Sequence, residues 1–177
     1  IHRTPFSGRN FEYFAEDPVL AGKMVASLTA AAQKRGLIMY DKHFFLNDTE
    51  QDRDQTGLLT YATEQTMREV YMKVEQIVVE EADAMALMTA FNRIGNVWVG
   101  EDYRTLTNIL RGEWGFKGMT ITDGQNGYMK NARMIRGGGD MALAMLGKID
   151  MDVTSDWAKN DPTNIYCLRE AAKNILY

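Results

Sequence analysis

Gly115-Phe116-Lys117-Gly118-Met119-Thr120-Ile121-Thr122-Asp123-Gly124 decides how the rest of the chain is read. The run Gly118 to Thr122 is apolar or β-branched throughout, which predicts a strand buried on both faces, and Asp123-Gly124 predicts the turn that stops it. Upstream, Leu106, Ile109 and Leu110 recur at helical spacing, and Ala84 to Phe91 forms another apolar strand-like run. Before that, Thr63-Glu64 caps a long helix whose apolar positions are Met67, Val70, Tyr71, Val74, Ile77 and Val78. Leu37-Ile38-Met39-Tyr40 predicts a strand ending in the polar pair Lys42-His43. Glu16-Asp17-Pro18 opens a helix carried by Leu20, Met24 and Leu28 and ended by Gly36. Downstream, Asn131 to Arg136 reads as a helix, Ile149 to Val153 as a weaker strand, and Pro162 starts a helix through Ile165, Leu168, Ala171, Ala172 and Ile175. Four strand-helix units of this kind predict an α/β fold with parallel strands and covering helices. A full eight-unit barrel takes about 250 residues. The 177 residues here therefore suit a partial barrel or a smaller doubly wound sheet, organised as one incomplete domain over 1–177.

Composition narrows the function. Hydrophobic residues make up 45% and charged residues 25%, as in packed globular domains. Twenty Lys plus Arg against 24 Asp plus Glu give a net charge of −4, which argues against a nucleic-acid partner. Apolar stretches such as Ala84 to Phe91 are far shorter than the roughly 20 residues that span a bilayer, so no membrane partner is expected. One cysteine, Cys167, and two histidines, His2 and His43, cannot build a Cys/His metal cluster or an intrachain disulfide, and no metal or cofactor is expected. The chain lacks GxGxxG, GxxxxGK[ST] and GxSxG strings, which excludes the commonest nucleotide sites and the hydrolase elbow. Its twelve methionines sit mostly in apolar runs and are read as core. The start, Ile1-His2-Arg3-Thr4-Pro5, without Met or an apolar leader, is read as an interior piece of a longer chain, with a cytoplasmic location expected.

Parallel α/β sheets gather their active residues at the carboxyl ends of strands. Those ends are Lys42-His43, Asn92-Arg93 and Asp123. By spacing alone, Asp123-Gly124 after a strand is usually just a turn, and Arg9 and Arg53 are solvated loop charges.

Taken together, five ordered strings resemble glycoside hydrolase family 3 β-glucosidases. They are Ile1 to Pro18 (IHRTPFSGRNFEYFAEDP), Lys42-His43-Phe44 with Asn47-Asp48 and Arg53, Met88-Thr89-Ala90-Phe91-Asn92, Gly112 to Gly118 (GEWGFKG), and Thr122-Asp123. The closing Arg169 to Tyr177 resembles the end of that family's barrel domain. The resemblance implies a TIM-like barrel followed by a second domain. It also implies a retaining enzyme that removes terminal β-D-glucosyl residues through a covalent glycosyl ester on Asp123. Arg9, Lys42, His43 and Arg53 match the family's sugar-binding positions, and Phe91 stands where the family usually has Tyr. Donors of these types suit a ring of sugar hydroxyls, and cations nearby favour an ionised nucleophile. Gly124 stands where an aromatic residue is usual. The resemblance places a further sugar-binding Asp before Ile1 and the acid/base Glu after Tyr177. Glu50, Glu64, Glu101 and Glu113 qualify as acids only by residue type. Lys42-His43-Phe44 continues as Phe45-Leu46-Asn47, without the second His of the family's N-acetylglucosaminidase branch. The expected partner is a β-glucoside or oligosaccharide substrate, with a homo-oligomer or complementing segment possible. The other reading is a truncated, non-catalytic module that binds sugar weakly or assembles with another chain.

Overall fold

The structure, a computed structural model, describes residues 1–53, 58–125, 127–145 and 151–177. Its centre is a parallel sheet of four strands, β1 (Tyr40–Phe44), β3 (Ala86–Thr89), β6 (Met119–Gln125) and β7 (Met141–Ala144), in the order β1-β3-β6-β7. A small second sheet joins β2 (Leu59–Thr60), β4 (Arg93–Ile94) and β5 (Val97–Trp98), with β4 and β5 antiparallel. Each main strand is followed by helical cover before the next, so the sheet is an arc of a TIM-like barrel. Among the described residues the arc does not close, and β1 and β7 are its edges.

Helix α1 (Pro18–Gln33) starts as its sequence predicts, with the Asp17 carboxylate accepting the Leu20 N–H at 2.8 Å and Pro18 in the first turn. Its buried face is a correction. Leu20, Met24 and Leu28 are about half exposed, and Ala21, Gly22, Ala26 and Thr29 face inward. Small residues let α1 lie close on the next helix: a Cβ at Gly22 would sit 2.8 Å from Ile77 Cδ1. Leu37 and Ile38 are likewise exposed, and β1 begins only at Tyr40, because its pairing with β3 runs from Tyr40↔Ala86 onward. Lys42 and His43 therefore lie within the strand. The peptide bonds Lys42–His43 and Phe44–Phe45 are cis.

Thr63 caps the next helix through the Thr66 N–H, and the helix runs as α2 (Glu64–Thr66), a π turn (Met67–Tyr71) and α3 (Lys73–Ala82). Glu75 lies on the inward face at ordinary helical spacing, four residues after Tyr71 and three before Val78, and is buried with them. Burial pushes its pKa up to about 8. With the folded pKa above the ordinary carboxyl value of 4.5, the unfolded chain gives up this proton first, so stability falls as pH rises from there to about 8 and levels off beyond it. Glu75→Gln is expected to raise the melting temperature by several degrees more at pH 9 than at pH 5; equal shifts in calorimetry at the two pH values would refute this.

The predicted helix through Leu106, Ile109 and Leu110 is present, as a π-helix over Arg104–Glu113 that buries Thr105, Leu106 and Leu110. β6 runs three residues past its expected end at Thr122, since Gly124 and Gln125 pair with Leu143 and Ala144 of β7. Part of the expected Ile149 to Val153 strand lies outside the described residues, and Met151 to Val153 are not strand. The strand is β7 instead. Met141 and Met145 beside it are partly exposed, against their assignment to the core, whereas Met72, Met129 and Met134 are buried. Helices α4 (Asn131–Gly137), α5 (Ser155–Asn160) and α6 (Pro162–Leu176) complete the described chain.

One buried carboxylate ties three of these elements together. Asp140 Oδ2 accepts from Arg111 Nη2 at 2.6 Å, from the Thr120 N–H at 2.7 Å and from the Thr120 hydroxyl at 3.1 Å, while Oδ1 accepts from Asn174 of α6 at 2.9 Å. Removing one partner of such a pair leaves the other charge buried and unpaired. Asp140→Ala is expected to lower stability by about 3–5 kcal/mol, measured as a shift in the denaturant midpoint. A loss within the scatter of surface substitutions would contradict it.

Candidate active site

Asp123 lies near the carboxyl end of β6, where the parallel sheet presents its side chains above the barrel. Its two oxygens are treated differently. Oδ1 accepts the Gly124 N–H at 2.7 Å, and Oδ2 is shielded from solvent with no hydrogen-bond partner. His43 Nε2 of the edge strand stands 3.4 Å from Oδ2. Phenylalanine at position 91 carries no hydroxyl that could approach this carboxylate.

His43 is buried, and its Nδ1 is 2.9 Å from the Tyr13 hydroxyl. Burial holds the imidazole well below its ordinary pKa, with the Asp123 carboxylate pulling the other way and Arg9 and Lys42 adding to the depression. It is neutral near pH 7. A neutral ring has one donor and one acceptor nitrogen, so a hydrogen on Nε2 faces Asp123 while Nδ1 accepts from Tyr13. The unfolded chain takes up this proton near pH 6.5, and the folded chain only at lower pH. His43 therefore withdraws stability as pH falls below that value.

The three cations are fastened by two carboxylates. Glu12 accepts from Arg9 Nη2 at 2.8 Å and lies 2.6 Å from Lys42 Nζ. The Arg9 guanidinium foremost, with Lys42 beside it, brings Glu12 down to about 2 against the effect of burial. Glu50 lies 2.8 Å from Arg53 Nη2 and 3.7 Å from Arg9 Nη1, and Asn47 Oδ1 accepts from Arg53 Nη1 at 2.9 Å. The Arg53 guanidinium then lies 4.6 Å from the centre of the Phe91 ring. Arg9, Lys42, Arg53 and Phe91 thus form one connected set beside the His43–Asp123 pair. Planar guanidinium forks, an ammonium and an imidazole next to a carboxylate with a spare oxygen can hold a polyhydroxylated ring against a nucleophile.

Glu12 and Tyr13 escaped the sequence reading, and Glu50 entered it only as an acid by residue type. A local signal was present in two places: Arg9-x-x-Glu12 and Glu50-x-x-Arg53 both have the i,i+3 spacing at which ion pairs close over a single turn. Nothing local marks Tyr13, because it meets His43 across 30 residues. At Gly124, a side chain of any kind would collide with the Met145 thioether, so Met145 takes the space beside the candidate nucleophile.

The description "Glycosyl hydrolase family 3 N terminal domain" matches residues 1–172. Beta-glucosidase A of Butyrivibrio fibrisolvens is 38% identical over 143 residues, covering 81% of this chain and 17% of its own length. Probable beta-glucosidase I of Emericella nidulans is 31% identical over 174 residues, 98% of this chain and 20% of its own length. Among solved structures, beta-glucosidase 3B from Thermotoga neapolitana, in complex with glucose, superposes with a TM-score of 0.87 at 29% identity, covering 99% of this chain and 25% of that one. The chain spans a fifth or less of the length of the curated relatives it matches. Since the family match runs over nearly the whole sequence and solved β-glucosidases share its fold, this chain belongs to glycosyl hydrolase family 3, within that family's N-terminal domain.

Proposed function

We propose that this chain supplies the nucleophile and the glycone contacts of a retaining β-glucosidase. The observation that carries the reading is the Asp123 carboxylate: one oxygen is held by the Gly124 N–H, and the other is unpaired and faces His43 beside the Arg9, Lys42 and Arg53 cluster. In the first step Asp123 Oδ2 attacks the anomeric carbon and the bond to the aglycone oxygen breaks, its electron pair staying on that oxygen, which takes a proton from a general acid. Water then attacks the glycosyl ester and gives its proton to the conjugate base, releasing glucose and the Asp123 carboxylate. Arg9, Lys42, His43 and Arg53 hold the sugar hydroxyls, and Glu12 and Glu50 keep the cations in place. The β-glucosidase names of the relatives support glucose as the sugar.

Treating the natural protein with 2,4-dinitrophenyl 2-deoxy-2-fluoro-β-glucoside tests the assignment. The fluorine slows hydrolysis of the ester, and a fluoroglucosyl mass is expected on the peptide carrying Asp123. The same mass on another carboxylate would reject it.

We read the chain as one incomplete barrel domain. Among the described residues β1 and β7 are unpaired edge strands, and Phe6, Phe11, Leu37 and Ile38 are exposed. Unpaired edges flanked by apolar surface invite association. The isolated 177 residues are expected to self-associate in light scattering, and a stable monomer of 20.1 kDa would refute this.

A further inference from the structure

Five side chains stack in succession beside the candidate site. Arg53 covers Phe91 at 4.6 Å, Phe91 meets Tyr128 at 4.8 Å between ring centres, Tyr128 meets Trp98 at 4.6 Å, and Arg93 covers Trp98 at 3.9 Å. A guanidinium closes each end, an arrangement in which every ring has a cation or a tilted ring against it. The ends differ in what they belong to. Arg53 is bound to Glu50 and Asn47 in the site, and Arg93 and Trp98 are opposite one another in the β4–β5 pair.

Tyr128 occupies the middle and has a second contact with the site. Its hydroxyl donates to the Gly124 carbonyl oxygen at 2.8 Å, while the N–H of the same glycine is the donor to Asp123 Oδ1. Gly124 has no side chain with which to hold its backbone, and Met145 fills the place where one would stand. The N–H belongs to the Asp123–Gly124 peptide and the carbonyl to the Gly124–Gln125 peptide, so Asp123 and Tyr128 hold Gly124 from its two sides, alongside its pairing with Leu143 of β7.

We infer that Tyr128 is a positioning residue for this site, setting Arg53 through the Phe91 ring and the Asp123 carboxylate through Gly124. The inference rests on Asp123 acting as nucleophile. It separates two effects within one side chain. The hydroxyl bears on the nucleophile and so on the rate of glycosylation, whereas the ring bears on Arg53 and so on binding of the sugar.

The test uses the natural protein, with nitrophenyl β-glucoside kinetics and the rate of fluoroglucoside labelling as readouts. Tyr128→Phe keeps the ring and removes one neutral hydrogen bond, for which a loss of about five-fold in labelling rate and in kcat is expected, with KM little changed. Tyr128→Leu is expected in addition to raise KM by about ten-fold. Combined with Arg53→Lys, Tyr128→Leu should raise KM by less than the product of the single effects, because both disturb the same guanidinium. A Tyr128→Phe protein with wild-type labelling and kcat overturns the role of the hydroxyl. Additive effects of Tyr128→Leu and Arg53→Lys overturn the role of the ring, and if Tyr128→Leu does not fold, the Phe variant still decides. A wild-type label on a carboxylate other than Asp123 is a different failure: it removes the functional reading and this inference with it.

Discussion

Asp123→Gly in the natural protein is expected to cut glucoside turnover by on the order of 10⁴-fold or more, the scale of loss when a covalent nucleophile is removed. The physical argument rests on the carboxylate's surroundings. Its Oδ2 has no hydrogen bond to a protein group and stands 3.4 Å from His43 Nε2, so it is open to react. Glycine at this position leaves the sugar contacts intact and opens a space the size of a carboxyl group. Azide is expected to enter it, attack the anomeric carbon of a dinitrophenyl β-glucoside from the face Asp123 would have used, and expel the phenolate. The product is then α-glucosyl azide, with inverted configuration, because a single displacement has replaced two. Nuclear magnetic resonance of the product distinguishes the anomers. Undiminished turnover, or a β-azide product, would remove Asp123 from the nucleophile's role.

The 177-residue chain by itself is expected to hydrolyse β-glucosides with unactivated leaving groups very poorly. General acid–base assistance is typically worth about 10²–10⁴ in rate, and an alkoxide leaving group depends on it most. The described carboxyls near the site are held in the wrong form or the wrong place for the task. Glu12 is ionised by Arg9 and Lys42, and Glu50 is paired with Arg53. Those pushed upward by burial are engaged elsewhere: Asp41 accepts the Thr29 hydroxyl, Glu101 accepts the Lys130 N–H, Asp140 is enclosed by Arg111, Thr120 and Asn174, and Glu75 is interior. A nitrophenolate leaves without much protonation, so the deficit should shrink for nitrophenyl glucosides. Azide or formate should restore part of the deglycosylation step. Cellobiose cleavage by the isolated chain at about 10 per second, a typical enzyme rate, would mean that an acid/base residue lies within residues 1–177.

The strand-helix alternation was legible because each buried parallel strand must be apolar on both faces, and Ala84 to Phe91 and Gly118 to Thr122 satisfy that without help from context. The capping signals at Asp17 and Thr63 were legible for a similar reason, since a cap acts within one turn. Periodicity misled at α1. Leu20, Met24 and Leu28 make a regular stripe, yet close approach of α1 to α3 selects the small residues Ala21, Gly22 and Ala26 for the interior.

The sequence by itself determined the class of fold, and the resemblance of its strings to a known family named the carboxylate and the cations of the candidate site. Those are matters of residue type in chain order, and residue type is what a sequence records. Only the tertiary structure decided how the charges are shared: that Glu12 ties Arg9 to Lys42, that Glu50 ties Arg53 into the same set, and that Tyr13 and Asp123 lie on opposite nitrogens of His43. Only it brought Arg53, Phe91, Tyr128, Trp98 and Arg93 into one stack. The reason is range. A cap or a turn is settled by neighbours a few residues away, whereas an imidazole's protonation and a ring's stacking partner depend on burial and on groups 30 or more residues distant, which meet only when parallel strands set their ends side by side.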